Sequence, residues 1–208
     1  MLRHYLTIIL RTLRRDRVYA AINVVGLAIG IAGFLLISLF VRDEISFDSH
    51  HEKSDRIYRI GVRNVINDNE DILATSCAPM AQGLIDEFSD VTAAGRLRRW
   101  GMPVVRYEDK AFSEEQWFVA DGSLFDVFTV PFIQGNPETA LTEPNTIVIT
   151  RSTAEKYFGD EDPMGKVLNI NNRTDYMITG VVEDVPRNAH VHYDFLASLA
   201  TMDDSRSQ

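Results

Sequence analysis

Cysteine is almost missing from this chain: Cys77 stands alone among 208 residues, so no intramolecular disulfide can staple the fold. Stability has to come from a buried core, and the roughly 165 residues outside the one long apolar run suffice for one domain or two small lobes. Basic residues are in deficit as well. Lysine and arginine total 21 against 30 acidic residues, a net charge of −9, which argues against nucleic acid as a partner. Signatures of nucleophilic catalysis are lacking: there is no G-x-S-x-G, no S-x-x-K, and no Cys–His setting around Cys77. The stretch Gly159-Asp-Glu-Asp-Pro-Met-Gly165-Lys166 has the outline of a phosphate loop. It carries five residues between its glycines instead of four, three of them acidic, and Val167 stands where a Ser or Thr would hold magnesium. It reads as a turn that caps a helix.

Metal chemistry is little better supported. His190 and His192 lie two apart, near Asp194, and on a strand they would face the same way; His50 and His51 sit beside Asp48 and Glu52. Nothing completes either group at a recognised ligand spacing, so these are expected to be solvated loop histidines. No catalytic residue, no metal site and no cofactor of the chain's own is expected.

What the chain does have is one run of 24 uncharged, mostly apolar residues from Val18 to Val41. As a helix it would span about 36 Å, enough to cross a hydrocarbon core of about 30 Å with some tilt. It is longer than the apolar part of a signal peptide and leaves through Val41-Arg42-Asp43-Glu44, which is no cleavage site, so a permanent anchor is expected. Arg3, Arg11, Arg14, Arg15 and Arg17 precede it against the single acid Asp16; after it, 16 basic residues face 29 acidic ones. That asymmetry puts residues 1–17 in the cytoplasm, 18–41 across the membrane, and 42–208 in the periplasm or its equivalent. Leu2, Leu6, Ile9, Leu10 and Leu13 would share a face of an amphipathic helix lying on the inner membrane surface, its arginines near anionic lipid. Within the span, Gly26, Gly30 and Gly33 form a face of small residues along which another helix could pack.

The remainder mixes strands and helices without regular alternation, which predicts an α+β domain. Tyr58, Ile60 and Val62 alternate with Arg59, Gly61 and Arg63 as in a half-buried strand. Asn67-Asp68-Asn69 is a turn, and Pro79 starts a helix with Met80, Leu84, Ile85 and Phe88 on one side. Val91 to Val105 and Ala111 to Val119 are expected strands around the turn Glu108-Asp109-Lys110. Thr146 to Thr150 is a further strand. Ser152 and Glu155 form a capping box, followed by a helix with Ala154, Tyr157 and Phe158 inward and Gly159 at its end. Val167 to Ile170 and Tyr176 to Val182 flank Asn171-Asn172 as a hairpin.

Taken in order, several segments resemble the N-terminal part of MacB/FtsX-type ABC transporter permeases with a MacB-like periplasmic core domain. They include Asn23 to Gly30, Arg42 to Asp48, His51 to Arg59, Ala120 to Phe125, Gly135 to Leu141, Ile147 to Gly159, Asp162 to Lys166 and Thr179 to Pro186. The resemblance implies a two-lobed domain, one lobe from the first strands plus the segment near Val182 to Leu199, the other inserted at about 117–181. It implies mechanical work: a partner ABC ATPase binds and hydrolyses ATP in the cytoplasm, and membrane helices relay the motion outward. Expected partners are that ATPase, a second permease copy or homologue, membrane lipids and an envelope protein. Asp48, Asp55, Arg56, Tyr58 and Arg59 fall at the junction of stalk and domain, where salt-bridged or solvated roles are expected. Such permeases carry further membrane helices, and with no second apolar span here a fragment, a truncated gene product or one piece of a split permease is expected. The competing readings are a membrane-anchored extracytoplasmic sensor or binding module, and an anchored envelope enzyme for which no constellation argues.

Overall fold

The computed structural model describes residues 11, 15–66 and 69–202, in two units that divide between Phe47 and Asp48. The expected interfacial helix over residues 2–13, with Arg3 and Arg14, lies outside the described residues; Arg11, Arg15 and Arg17 are exposed.

The first unit is a single helix, α1 (Arg17–Glu44), 28 residues without interruption. It contains the whole predicted span and continues through Arg42-Asp43-Glu44, as the polar residues there suggest. Its last turn closes with Ile45 N–H on Val41 O at 3.0 Å and Ser46 Oγ on Asp43 O at 2.7 Å. The helix buries none of its residues. Fifteen large apolar side chains, from Val18 and Tyr19 to Phe40 and Val41, are left exposed. In water that surface would forgo on the order of 20 kcal/mol of burial, so it is matched to lipid. A Cβ built on Gly26, Gly30 or Gly33 meets nothing within 4 Å, which leaves a strip of bare backbone open to a neighbour.

The second unit opens with a turn of 3₁₀ helix (Ser54–Arg56) and an antiparallel hairpin of β1 (Val62–Ile66) and β2 (Asn69–Leu73). The strand predicted from Tyr58 starts later, because the partner runs out: Val62 pairs with Leu73, the last residue of β2. Tyr58 is 80% exposed in consequence. Helix α2 (Met80–Glu87) follows Pro79 as expected.

Nine strands then make one sheet. These are β3 (Leu97–Arg99), β4 (Val104–Tyr107), β5 (Lys110–Ser113), β6 (Trp117–Ala120), β7 (Phe132–Gly135), β8 (Thr146–Thr150), β9 (Val167–Ile170), β10 (Thr174–Val182) and β11 (Phe195–Ser198). Their order is β3-β6-β11-β8-β10-β9-β4-β5, and β7 pairs with β10 beside β9. Pairs β6/β11 and β8/β10 are parallel; the others are antiparallel. Two expected long strands are each broken in two. Gly101, at φ +55°, and Pro103, which has no N–H for a ladder, separate β3 from β4, and Glu114 to Gln116 separate β5 from β6.

Alternation along the strands gives the sheet two covered faces. Ile147 and Ile149 of β8, Phe195 and Ala197 of β11, and Trp117 and Val119 of β6 lie on one face, with Ala154, Tyr157 and Phe158 of helix α4 (Arg151–Phe158). Val148, Leu196 and Ala120 lie on the other, with Ala140, Leu141 and Leu124 of the short helix α3 (Leu124–Val127). Trp117 stacks on Phe195 with ring centroids 5.1 Å apart. At the rim of the core, the buried Glu114 accepts from Lys156 Nζ at 2.7 Å and from the Tyr157 hydroxyl. Burial, then the Glu114 hydrogen bond, pushes the Tyr157 phenol well up.

Helix α4 is capped two residues before the expected Ser152. Thr150 is the N-cap, its side chain accepting from Thr153 N–H, while Ser152 N–H goes to Asp184 Oδ1 at 3.0 Å. Asn171 and Asn172 both adopt left-handed backbone (φ 54° and 55°), which turns β9 into β10 as anticipated. Gly135 faces Gly180 where β7 crosses β10; a Cβ on Gly135 would lie 2.4 Å from Thr179 O. The expected division at about 117–181 falls inside this sheet, since β6 pairs with both β3 and β11. The hairpin β1–β2 is a separate two-stranded sheet, and residues 97–198 make the large one.

Candidate functional site at the domain entry

The chain enters the second unit through a tight turn, with Asp48 in left-handed backbone at φ 55° and His51 N–H bonded to Asp48 O at 3.1 Å. Two distant loops hold this turn. The first is residues 188–190: Asp48 N–H donates to Asn188 O (2.9 Å), His190 N–H donates to Asp48 Oδ1 (2.9 Å), and His190 Nδ1 meets Asp48 Oδ2 at 2.8 Å. The second is residues 126–129, the last turn of α3 and the two residues that follow it. There Thr129 N–H donates to His51 Nδ1 (3.2 Å), Glu52 N–H donates to Thr129 Oγ1 (2.9 Å), and Lys53 Nζ reaches Asp126 O at 2.6 Å. The His51 ring also lies 4.8 Å from the Phe128 ring. Residues 48–53 are thus clasped from both sides by polar bonds to loops that hang from the large sheet.

The charges of the clasp suit these bonds. Burial works to raise the Asp48 carboxyl, but the backbone and side-chain hydrogen bonds from His190 outweigh it and hold the group below its ordinary range. Burial, and then the neighbouring His50, push the His51 imidazole down. A neutral His51 keeps the lone pair on Nδ1 that the Thr129 amide requires.

Of the five junction residues predicted from sequence, only Asp48 takes part in the clasp. Asp55 and Arg56 pair weakly with each other at 4.0 Å with exposed side chains, Arg59 donates to Ala74 O at 3.1 Å, and Tyr58 points outward. Of the histidines expected to be solvated loop residues, His190 and His192 are exposed in the loop that follows β10, whereas His50 and His51 are not fully solvated. His50 and His51 are half-buried with ring centroids 4.0 Å apart, and His190 is committed to Asp48 rather than to His192. Asp48, His50 and His51 each bring one ligand-type atom to within 4.8 Å of the others. Asp48 was visible in the sequence as a junction acid, whereas His51, Thr129 and His190 were missed as its companions. Their bonds link residues 77 to 142 positions apart, with no local spacing to reveal them.

The phosphate-loop lookalike is a turn, as its sequence suggests. Gly159 (φ 63°) ends α4 with its N–H on Glu155 O, Met164 N–H bonds Asp162 Oδ1, and Lys166 pairs with Glu161 while lying over the Tyr107 and Phe158 rings. Its lysine is already neutralised.

A match to the MacB-like periplasmic core domain family covers residues 20–208, beginning inside α1. No curated protein matches the chain. Among solved structures, a domain of a Porphyromonas gingivalis protein described as a permease is similar at 28% identity and a TM-score of 0.58, over 64% of this chain and 57% of that one. The periplasmic region of MacB from Actinobacillus actinomycetemcomitans matches at 15% identity and a TM-score of 0.43, over 67% of this chain and 57% of that one. The extracellular domain of the noncanonic ABC-type transporter YknZ from Gram-positive bacteria matches at 16% and 0.37, over 51% of this chain and 52% of that one. The chain therefore spans little more than half the length of each. With the family match running through both the apolar helix and the sheet, this chain belongs to the MacB-like periplasmic core domain family.

Proposed function

We propose that this chain is the membrane-helix and periplasmic portion of an ABC-type export permease, acting on an amphiphilic substrate such as a peptide, drug or lipid. The observation that carries the reading is the continuous family match from residue 20, within α1, to residue 208. A separate ATPase supplies the energy in the cytoplasm, where the arginine-flanked amino terminus lies. α1 carries displacement across the bilayer, because an uninterrupted helix transmits motion along its axis without any side-chain chemistry. Only Ile45, Ser46 and Phe47 separate its last residue from the clasp, which hands that displacement to two loops of the large sheet. The bare strip at Gly26, Gly30 and Gly33 packs against a helix of a second permease copy or of a homologous permease, and an envelope protein meets the outer domain.

The test is Ile45→Pro in the complete permease, reconstituted with its ATPase in proteoliposomes. Proline removes the bond from Ile45 N–H to Val41 O and kinks the helix end. Substrate-stimulated ATP hydrolysis should fall to the basal rate while the periplasmic domain keeps its melting temperature. Stimulation equal to that of the parent protein would remove the relay.

A further inference from the structure

We propose that Asp48, His50 and His51 form a binding site for a divalent first-row transition-metal ion such as zinc. With their ligand-type atoms all within 4.8 Å of one another, a point exists within about 2.8 Å of all three (4.8 Å divided by √3). Bonds from zinc to imidazole nitrogen or carboxylate oxygen run about 2.0–2.2 Å, so side-chain rotations of less than about 1 Å complete the set. Two imidazoles and one carboxylate select a transition metal over calcium or magnesium, which take oxygen ligands.

His50 supplies an independent observation. Its Nδ1 is shielded from solvent and takes no hydrogen bond among the described residues. Nearly all buried polar atoms find a partner, and a bound cation would be one. Asp48 has the outer support that ligating carboxylates carry. Oδ1 accepts the His190 amide and Oδ2 meets His190 Nδ1, yet each oxygen keeps a further lone pair for an ion. His51 Nδ1 accepts the Thr129 N–H across 3.2 Å, long for such a bond; coordination through that nitrogen would exchange the contact for one to the metal. Water takes the fourth, tetrahedral position. Loaded, the ion would lock the turn at residues 48–51 and, through Asp48 and His190, stiffen its attachment to the loop at 188–190. The site stands independently of the transport reading.

The experiment is calorimetric titration of Zn²⁺ into the full chain in nanodiscs of uncharged phosphatidylcholine at neutral pH. A single saturable event at one ion per chain is expected, unaffected by millimolar Ca²⁺. His50→Asn and His51→Asn should each weaken it at least tenfold, whereas His192→Asn should leave it unchanged. Zinc should also raise hydrogen exchange at the Thr129 amide without altering exchange in β8. X-ray absorption on the zinc-loaded parent chain, which does not depend on any variant folding, should count two imidazole nitrogens. No saturable binding, undiminished affinity in His50→Asn, or a shell with fewer than two imidazoles would overturn the site.

Discussion

The Val18–Val41 run of α1 and the strand β8 are both stretches without a charge, yet α1 buries none of its 28 residues and β8 buries all five. Length and surroundings separate them. β8 is short, bounded by the left-handed Asn145 and the cap residue Thr150, and has β10 and β11 on its two edges and apolar layers on its two faces. α1 presents apolar side chains around its whole circumference, a distribution that a lipid surround satisfies and a one-sided protein surface does not. The same composition therefore stabilises two different things: the sheet's own fold in one case and residence in the bilayer in the other.

That contrast can be broken from either side. The largest effect is expected in the core. Phe195→Ala, which removes a ring in contact with Trp117 and Tyr157, should cost about 3–5 kcal/mol of unfolding free energy without changing the membrane-bound fraction. Ile29→Asp should do the reverse. A charge at the middle of the span costs about 2.5–3.5 kcal/mol of insertion, visible as protein released by carbonate extraction, while the sheet melts as before. Smaller again is Asp48→Asn at the clasp. It weakens charge-assisted bonds to His190 at a partly exposed site, a loss on the order of 1 kcal/mol, read as faster amide exchange at His190 with β8 unchanged.

Acidification should act on the same place. His51 has a lowered pKa in the folded state, so its contribution is complete above its unfolded value of 6.5 and is lost as pH falls through the lower folded value. Asp48, also lowered, contributes fully above 3.8 and fades only in stronger acid. Amide exchange at Thr129 should therefore quicken first on going below pH 6.5, and exchange at His190 only at much lower pH. Simultaneous loss at both amides would show that the clasp opens as one unit instead.

How much of this was legible beforehand follows the range of the interactions. α1 could be read from length and composition alone, and the inward face of α4, the strand at 146–150 and the Asn171-Asn172 turn from local pattern. Errors arose where a distant partner decides the outcome. β1 starts at Val62 because β2 ends at Leu73, and α4 starts early because Asp184 takes the Ser152 amide. The clasp was the least legible element. Of its members Asp48 alone was singled out, and the histidines beside it were set aside because their companions lie in loops far along the chain.

Cys77 offers the most direct test of the central claim, that α1 spans the membrane and holds the acidic domain outside the cytoplasm. It is the only thiol in the chain, and it is exposed on the second unit. In spheroplasts with an intact inner membrane, a membrane-impermeant maleimide should label Cys77 as completely as it does after lysis. Labelling that appears only once the inner membrane is broken would contradict the account.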